Sequence, residues 1–456
     1  MKNRKVLVAN RGEIAVRIIK ACKDLGIETV LVVSEADKDS MGANLADEVV
    51  CIGPPQVTLS YLNIPKIIDT ALQTGADAIH PGYGFLAENP ALPEACEKNR
   101  IIFIGPRPQT MRQLGDKISA RRLAGKNNVP MTEGSEGLNS FSEVEAQVQK
   151  IGFPVIFKAA AGGGGRGMRI VTETKNLKNA FDMASNEALT AFGDATLFVE
   201  RYVQNARHVE VQIIGDNFGK VIHLGQRDCT TQRRHQKVIE EAHPPNLPDE
   251  LRNKILDAAV TLTSSIGYNS AGTVEFLVDK DRNEFYFMEV NTRIQVEHPV
   301  TEEITGVDLV KEQIQIAFGA SLSLNQKDIK FKGHAIECRV TAEDAKDDFM
   351  PSPGLMTHFV LPDGNNNHIR VDTHCFQGYT ISPFYDSLLA KLITKGDTRA
   401  EAIANMKTAL ADFKIEGIET NIPFLQFVIE QPEFIAGNID IKWIENTVLS
   451  KFVASI

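Results

Sequence analysis

The sequence has few cysteines and lacks any long apolar segment. Its six cysteines lie far apart without a CxxC pair, a pattern that indicates neither a disulfide framework nor a structural zinc site and favours a reducing compartment. No apolar run of about 18 residues occurs, and the N-terminus MKNRKVLVANRGE lacks the apolar core of a signal peptide. These absences predict a soluble cytoplasmic protein that is neither secreted nor inserted in a membrane.

Positive charge is also in deficit. The chain carries 49 basic and 59 acidic side chains, which gives a net charge of −10. Nucleic acids and anionic membranes are bound through cationic fields, so this balance argues against both as principal partners. The 456 residues, 43% of them hydrophobic, are enough for about two to four domains.

The first hundred residues alternate β-rich runs with helical patterns. The runs are KVLVAN, ETVLVVS, ADEVVCIG, ADAIHPG and IIFIG, and between the first two apolar residues recur at helical spacing at Ile14, Ile18, Ile19 and Cys22. This alternation predicts an open parallel α/β sheet. The first strand-to-helix turn, ANRGEIA, has one glycine instead of GxGxxG, which argues against a nicotinamide or flavin enzyme.

Four consecutive glycines stand between a lysine and an arginine in KAAAGGGGRGM, residues 158–168. Glycine lets backbone N–H groups approach an anion without a side chain in the way. A flexible linker is the alternative, but linkers usually mix Gly with Ser and separate folded units. Here strand-like FPVIFK precedes and GMRIVT follows, so we favour a loop that closes over phosphates.

The segment GTVEFLVDKDRNEFYFMEVNTRIQVEH, residues 272–298, predicts a hairpin centred near residue 282. That register sets Glu275 opposite Glu289, and like charges that face each other across a ladder are destabilising unless a cation lies between them. With Asn291 one step along the same face, they form an all-oxygen ligand set suited to magnesium or manganese. A solvated acidic hairpin face is the alternative.

Polar residues continue at every odd position after that pair, at Glu289, Asn291, Arg293, Gln295 and Glu297. A fully extended run of this length would span roughly 26 Å, which is too long for one metal site. We therefore expect the metal at the start of the run and a second anionic substrate further along.

Two further segments carry weaker signals. RDCTTQRRHQKVIEEAH, residues 227–243, is either a basic surface patch or a site for a small anion. HPGYGFLAEN, residues 80–89, is either a tight loop or a ligand-binding loop, because ligands bind at the carboxyl ends of parallel strands.

Taken in order, these pieces resemble the biotin carboxylase family, the ATP-grasp component of acetyl-CoA, propionyl-CoA and pyruvate carboxylases. The matching segments are VLVANRGEIAVRII, HPGYGFLAEN, GGGGRGMR, RDCTTQRRHQKVIEEA, MEVNTRIQVEHPVTE and GHAIECRVTAED, and they span nearly the whole chain. The resemblance implies a multidomain α/β and α+β fold. Its parts are an N-terminal open parallel α/β domain (1–115), an ATP-grasp linker and mobile glycine-lid subdomain (116–204), an ATP-grasp catalytic part (205–330) and a C-terminal mixed α/β domain (331–447).

The same resemblance implies roles for individual residues. Three groups of contacts are expected for the nucleotide, the metal and the two further substrates. ATP would be contacted by Lys117, Lys158, Gly164, Gly165, Glu200, Arg201, Val203, His208, Gln232, His235, Glu275 and Glu289. The metal ligands would be Glu275, Glu289 and Asn291. Bicarbonate would be bound by Lys237, Arg293, Gln295 and Val296, and biotin by Arg339 and Tyr83, with Glu297 as the base.

The implied reaction is carboxylation of biotin. Glu297 deprotonates bicarbonate, which attacks the γ-phosphorus of ATP, and the resulting carboxyphosphate yields CO2 and phosphate. Phosphate then takes the ureido proton of biotin while Arg339 stabilises the enolate and Arg293 holds the carboxyl species. The catalytic residues implied are therefore Arg293, Glu297, Lys237 and Arg339, and the product is N-carboxybiotin.

The sequence departs from the family pattern at two positions. Ala161 stands where the glycine run usually begins, and Arg201 replaces a lysine of the adenine hinge. Because no MKM biotin-attachment motif is found, we expect the biotin carboxyl carrier protein and the carboxyltransferase on separate chains, and the family pattern implies a homodimer. Another ATP-grasp ligase and a noncatalytic nucleotide-binding subunit remain as alternatives, and the final carboxyl acceptor stays undetermined.

Overall fold

The computed structural model describes residues 4–135, 137–160, 168–362 and 368–455. The first part forms a five-stranded parallel sheet, as predicted, in the strand order third, second, first, fourth, fifth. Apolar residues of the central strands are fully buried because helices cover both faces of the sheet. The elements are β1 (Lys5–Val8), α1 (Gly12–Asp24), β2 (Glu28–Ser34), α2 (Met41–Leu45), β3 (Glu48–Gly53), α3 (Ile64–Thr74), β4 (Ala78–His80), α4 (Ala91–Lys98), β5 (Ile102–Phe103) and α5 (Pro108–Gly115).

The next part of the chain combines helices with a small antiparallel sheet. Its elements are α6 (Lys117–Lys126), α7 (Phe141–Ile151), β6 (Val155–Ala159), β7 (Met168–Val171), α8 (Leu177–Phe192) and β8 (Leu197–Arg201). Its strand order is β7–β6–β8, and Lys158 pairs with Met168 across β6 and β7. The predicted strand–loop–strand pattern is therefore confirmed at its two strands. Ala161, Gly164 and Gly165 lie outside the described residues.

The part of the chain from residue 206 onward forms the largest sheet, an antiparallel sheet of eight strands. Its first elements are β9 (Ala206–Gly215), β10 (Val221–Arg233), β11 (Gln236–Ala242), α9 (Asp249–Ser264), β12 (Ser270–Asp279), β13 (Glu284–Asn291), α10 (His298–Thr305), α11 (Leu309–Ala317) and β14 (His334–Thr341). The chain then contains β15 (Glu343–Asp344), β16 (Met350–Pro351), β17 (Gly354–Leu355), β18 (His358–Val360), β19 (Ile369–Thr373), β20 (Thr380–Ile381), β21 (Leu388–Gly396), α12 (Arg399–Asp412), β22 (Lys414–Glu416), α13 (Ile422–Ile429), α14 (Pro432–Ile435), a π-helical turn (Ile444–Val448) and α15 (Leu449–Ser455). The strand order of the sheet is β13–β12–β9–β10–β11–β14–β21–β19. Because β11 pairs with β14, this sheet runs across the boundary we predict at residue 330.

Strand β9 shows how the sequence positions the site. Val209, Val211 and Ile213 pack in one apolar cluster with residues of α9. Successive side chains of a strand point to opposite faces, so His208, Glu210 and Gln212 lie on the other face. Within the ranges described, no helix has the length and apolar character needed to cross a membrane.

Candidate active site

A cleft of about 910 Å³ lies where the three sheets meet. Its walls include the loop after β4, which contains HPGYGFLAEN, as expected for the carboxyl end of a parallel strand. The structure brings most of the predicted site residues together there. Those that line the cleft are Tyr83, Lys117, Lys158, Glu200, His208, Gln232, His235, Lys237, Glu275, Glu289, Asn291, Arg293, Gln295, Val296, Glu297 and Arg339.

Two predicted residues lie elsewhere. The Arg201 guanidinium donates to Asp279 Oδ2 at 3.1 Å and to the Tyr286 hydroxyl at 2.7 Å, and Val203 is buried in a small cluster with Ala206 and Tyr286. Neither lines the described part of the cleft. Ion pairing holds the Arg201 side chain and apolar packing holds that of Val203, and the nucleotide contacts expected of both residues stay predictions.

The hairpin of β12 and β13 has the predicted register at its functional end. Glu275 pairs with Glu289 and Thr273 with Asn291, while a bulge beside Glu275 shifts the register towards the turn. Bulges often lie next to active sites, where they re-aim side chains. The two carboxylates thus face each other as the sequence predicts.

The donor set fits a hard divalent cation. Glu275, Glu289 and Asn291 offer carboxylate and amide oxygens, which Mg²⁺ prefers. Desolvation in the cleft and the facing charge of Glu275 raise the pKa of Glu289. A cation between the two carboxylates would relieve that repulsion.

Glu275 is the most heavily hydrogen-bonded of these ligands. Its Oε1 accepts from Asn291 Nδ2 and Gln295 Nε2, each at 2.8 Å, and its Oε2 lies 3.1 Å from His208 Nε2. Burial opposes its ionisation, but Lys237 and His208 outweigh burial and hold the pKa of Glu275 well below its ordinary value. Glu275 is therefore an anion at neutral pH, as a metal ligand must be.

The polar run after Glu289 is not extended, which corrects the extended geometry considered above. Strand β13 ends at Asn291, and the chain turns before helix α10, where Pro299 occupies the first helical turn. Proline there is compatible with a helix start and cannot donate to a sheet ladder. The turn brings Gln295 and Glu297 back beside Glu275, so the whole run faces one compact site.

Lys237 is the centre of that site. Its Nζ donates to Glu297 Oε1 at 2.5 Å, to Glu210 Oε2 at 2.7 Å, to Gln295 Oε1 at 2.9 Å and to Glu275 Oε1 at 3.2 Å. Arg233 and Arg234 of the same basic segment pair with Asp348 instead, and Arg227 pairs with Glu210. Of these four basic residues, Lys237 is the one that contacts both Glu275 and Glu297.

Glu297 lies between two cations. Arg339 donates to Glu297 Oε2 at 2.9 Å, on the side opposite Lys237. Burial raises the pKa of Glu297, but Lys237 and Arg339 outweigh it and hold that pKa far below its ordinary value. Glu297 is therefore ionised whenever both cations remain in contact with it.

Sequence reasoning missed the carboxylates that hold these two cations. Glu210 binds both Lys237 and Arg227, and Glu240 accepts from Arg339 Nε at 2.6 Å. Burial raises the pKa of Glu240 to about 7, even with Arg339 beside it. The sequence could have predicted Glu210 as a site residue, because it lies two residues after His208 and therefore on the same face of β9.

A second group of charges lies at the other end of the cleft. Glu200 accepts from Lys158 Nζ at 2.8 Å and from Arg121 at 2.9 Å. Burial alone raises the pKa of Glu200, yet Lys158 and Arg121 outweigh it and lower that pKa to about 2. Lys117 also lines this end, so two lysines are available for an anionic ligand.

Tyr83 and Arg293 have partners from the N-terminal part of the chain. The Tyr83 hydroxyl donates to Glu13, and Arg293 Nε donates to Glu88 Oε2 at 3.0 Å. Arg293 also donates to Asn291 Oδ1 at 3.1 Å, next to the candidate metal ligands. The polar run that begins in β13 is thus joined, through Arg293 and Glu88, to the loop after β4.

Comparison with known families and proteins agrees with this arrangement. Residues 2–111 match the biotin carboxylase N-terminal domain, residues 116–325 the ATP-binding domain of the carbamoyl-phosphate synthase L chain, and residues 337–446 the biotin carboxylase C-terminal domain. The chain is 50% identical over 443 residues to biotin carboxylase 1 of Bacillus subtilis (strain 168), covering 97% of this chain and 98% of that protein.

Two solved structures are similar over the same length. The complex of Campylobacter jejuni biotin carboxylase with β,γ-ATP has a TM-score of 0.94 at 47% identity, covering 97% of this chain and 98% of that one. The biotin carboxylase domain dimer of Hydrogenobacter thermophilus 2-oxoglutarate carboxylase, with MgADP, ADP and bicarbonate, has a TM-score of 0.92 at 46% identity and 97% coverage of both chains. Since full-length relatives share half of its residues, the chain belongs to the biotin carboxylase family.

Proposed function

We propose that this chain carboxylates biotin with bicarbonate at the expense of ATP, through carboxyphosphate, and forms N-carboxybiotin, ADP and phosphate. The observation that carries the proposal is the position of Glu297 between Lys237 and Arg339, beside the oxygen ligands Glu275 and Glu289. A carboxylate base, two anion-binding cations and a cation site thus share one cleft. Phosphoryl transfer to an oxyanion needs this combination.

The nucleotide is assigned to the end of the cleft that holds the two lysines. Lys117 and Lys158 bind its phosphates, and the walls there are formed by Glu200, His208, Gln232 and His235, with Gly164 and Gly165 in the predicted lid. Glu275, Glu289 and Asn291 would hold Mg²⁺ or Mn²⁺, which neutralises phosphate charge when bound. Arg201 and Val203 would contribute through their backbone, since their side chains lie outside the cleft.

Bicarbonate is assigned to the space among Lys237, Arg293, Gln295 and Val296. There its hydroxyl proton passes to Glu297, and the oxyanion attacks the γ-phosphorus of ATP. An anion that draws Lys237 and Arg339 towards itself weakens their hold on Glu297 and raises the pKa of that carboxylate. Substrate binding thereby makes Glu297 a stronger base than it is in the resting site.

Biotin is assigned to the side of the cleft formed by Tyr83 and Arg339. Carboxyphosphate separates there into CO2 and phosphate, and the phosphate removes the ureido proton. Arg339 stabilises the negative charge that develops on the ureido oxygen. Its two carboxylate partners, Glu240 and Glu297, hold the guanidinium in place for this task.

The partners, the compartment and the domain limits belong to the same proposal. The chain would act on biotin attached to a separate carrier protein, with a carboxyltransferase on another chain, and as a homodimer in the cytoplasm. Six free cysteines, five of them buried, support a reducing compartment. The limits 1–115, 116–204, 205–330 and 331–447 remain our predictions.

The test is ADP release by the purified protein with magnesium and ATP, with and without bicarbonate and free biotin. Turnover that needs both, and that falls at least about a hundredfold in Glu297→Gln and Arg339→Met, supports the proposal. Glu250→Gln, on the exposed face of α9, is the matched control and keeps wild-type turnover. Turnover indifferent to biotin would identify another acceptor, and bound ATP without turnover would identify a regulatory subunit.

A further inference from the structure

Lys391 on β21 is a fully buried lysine behind the wall of the cleft. Its Nζ donates to the Val296 carbonyl oxygen at 2.9 Å and lies 3.1 Å from Glu13 Oε1 and 3.8 Å from Asp372 Oδ2. The loop 293–297 thus has a cation at its back as well as Lys237 at its front. The mechanism proposed above gives Lys391 no role.

Acidic side chains surround Lys391. Glu13 and Asp372 pair with its ammonium. Burial raises the pKa of the nearby Glu337 well above its ordinary value, so Glu337 contributes little counter-charge. Arg370 and Arg17 balance this group from further away, through Asp372 and Glu302. Buried ion pairs often add little stability over apolar residues. Stability alone therefore does not explain why this lysine reaches the carbonyl of a loop.

The contact with Val296 fixes the direction of one peptide group. In a planar trans peptide the C=O and the following N–H point in opposite directions. With the Val296 carbonyl bound to Lys391, the Glu297 N–H points to the other side of the loop, where Val296 and Glu297 line the cleft. That orientation presents a backbone donor to an anion.

We propose that Lys391 is a positioning residue that holds loop 293–297 in the conformation that binds bicarbonate, an inference that rests on the proposed function. Lys391 acts on the loop from behind and does not itself contact the substrate. Through Glu13, which accepts from the Tyr83 hydroxyl, the same ammonium also supports the wall assigned to biotin. One buried cation therefore links the two substrate positions.

The test compares Lys391→Met with the double variant Lys391→Met/Glu13→Gln, and uses Glu13→Gln as the reference for the double variant. The double variant removes one positive and one negative charge, so it avoids an unpaired buried Glu13, and a glutamine oxygen still accepts from Tyr83. Arg399→Met is the matched control, because Arg399 also sits in a largely buried ion pair, with Glu241, but does not line the cleft. Steady-state ADP release gives the KM for bicarbonate and for ATP, and thermal unfolding confirms the fold.

Loss of one charge-assisted hydrogen bond predicts a rise of about tenfold or more in the bicarbonate KM of both Lys391 variants, against their references. The ATP KM should stay within about twofold, and Arg399→Met should change neither KM by more than that. An unchanged bicarbonate KM in the folded double variant, or an equal rise in both KM values, would overturn the inference. Wild-type turnover without bicarbonate dependence would instead overturn the proposed function, and the inference with it.

Discussion

Replacement of Lys237 by methionine removes the cation at the centre of the site. Methionine is also unbranched and is one heavy atom shorter, so the change deletes charge and hydrogen bonds with a small change in volume. Three buried carboxylates, Glu210, Glu275 and Glu297, then lose a partner within 3.2 Å. We expect a loss of stability that depends on pH.

The size of this stability loss depends on the partners that each carboxylate keeps. Glu210 keeps Arg227, Glu275 keeps His208, and Glu297 keeps Arg339. Removal of one member of a buried charge cluster costs about 3 to 5 kcal/mol, because the remaining charges stay buried and less compensated. The matched control is Lys254→Met, because its exposed pair with Glu250 is screened by water and contributes little to stability.

The pH dependence follows from the direction of the shifts. In the wild type, the pKa values of Glu275 and Glu297 are depressed, so they stabilise the fold above their ordinary value of 4.5 and cease to do so as the pH falls. Without Lys237 those pKa values rise, and this stabilisation becomes smaller. The difference in stability between wild type and variant is therefore present in full at neutral pH and shrinks as the pH falls below 4.5.

Urea unfolding at several pH values, followed by circular dichroism, measures this difference directly. A loss of stability that is equal at pH 7 and pH 3 would refute the reasoning, because it would reflect packing rather than uncompensated charge. A loss no larger than that of Lys254→Met would refute it as well. Activity is not the readout here, because Lys237 is also assigned to bicarbonate binding.

Three further predictions concern other charged groups. Glu241, buried between His334 and Arg399, has a pKa of about 2 against an ordinary 4.5, so its ionisation stabilises the fold by about 3 kcal/mol above pH 4.5. The free energy of unfolding of Glu241→Gln, measured at several acid pH values, should lack this decrease between about pH 4.5 and 2. A variant that shows the same decrease as the wild type would contradict the prediction. Arg201→Lys should leave the ATP KM within about twofold, since the side chain contacts Asp279 and Tyr286 outside the cleft, and a larger change in ADP-release kinetics would place Arg201 in the nucleotide site. Chelation of divalent metal should abolish turnover, and Mn²⁺ should restore it. Glu289→Gln should raise the Mg²⁺ concentration for half-maximal turnover about tenfold or more. An unchanged magnesium titration would show that Glu289 is not a metal ligand.

The local patterns of the sequence were sufficient for several features. The five parallel strands, the helix that carries Ile14, Ile18 and Ile19, and the pairing of Glu275 with Glu289 all match the predictions. Each of these depends on periodicity within one element or on a short turn between two strands, which neighbouring residues encode. The family motifs added which residues to expect around the cleft.

Contacts between distant residues were decided by the tertiary structure alone. Lys237 and Glu297 are 60 residues apart, Arg339 and Glu297 are 42 apart, and Lys391 and Val296 are 95 apart. The turn after Asn291 brings the members of these pairs together. The helix that begins at His298 and the polar contacts with neighbouring strands, such as Gln295 with Glu275, determine the course of that turn. Alternation in a strand specifies which face a side chain takes, but the partner on that face depends on how the sheets close around the cleft. The sequence by itself therefore determined the strands, the hairpin register and the candidate ligands, whereas only the folded chain placed one lysine among three carboxylates and another behind their loop.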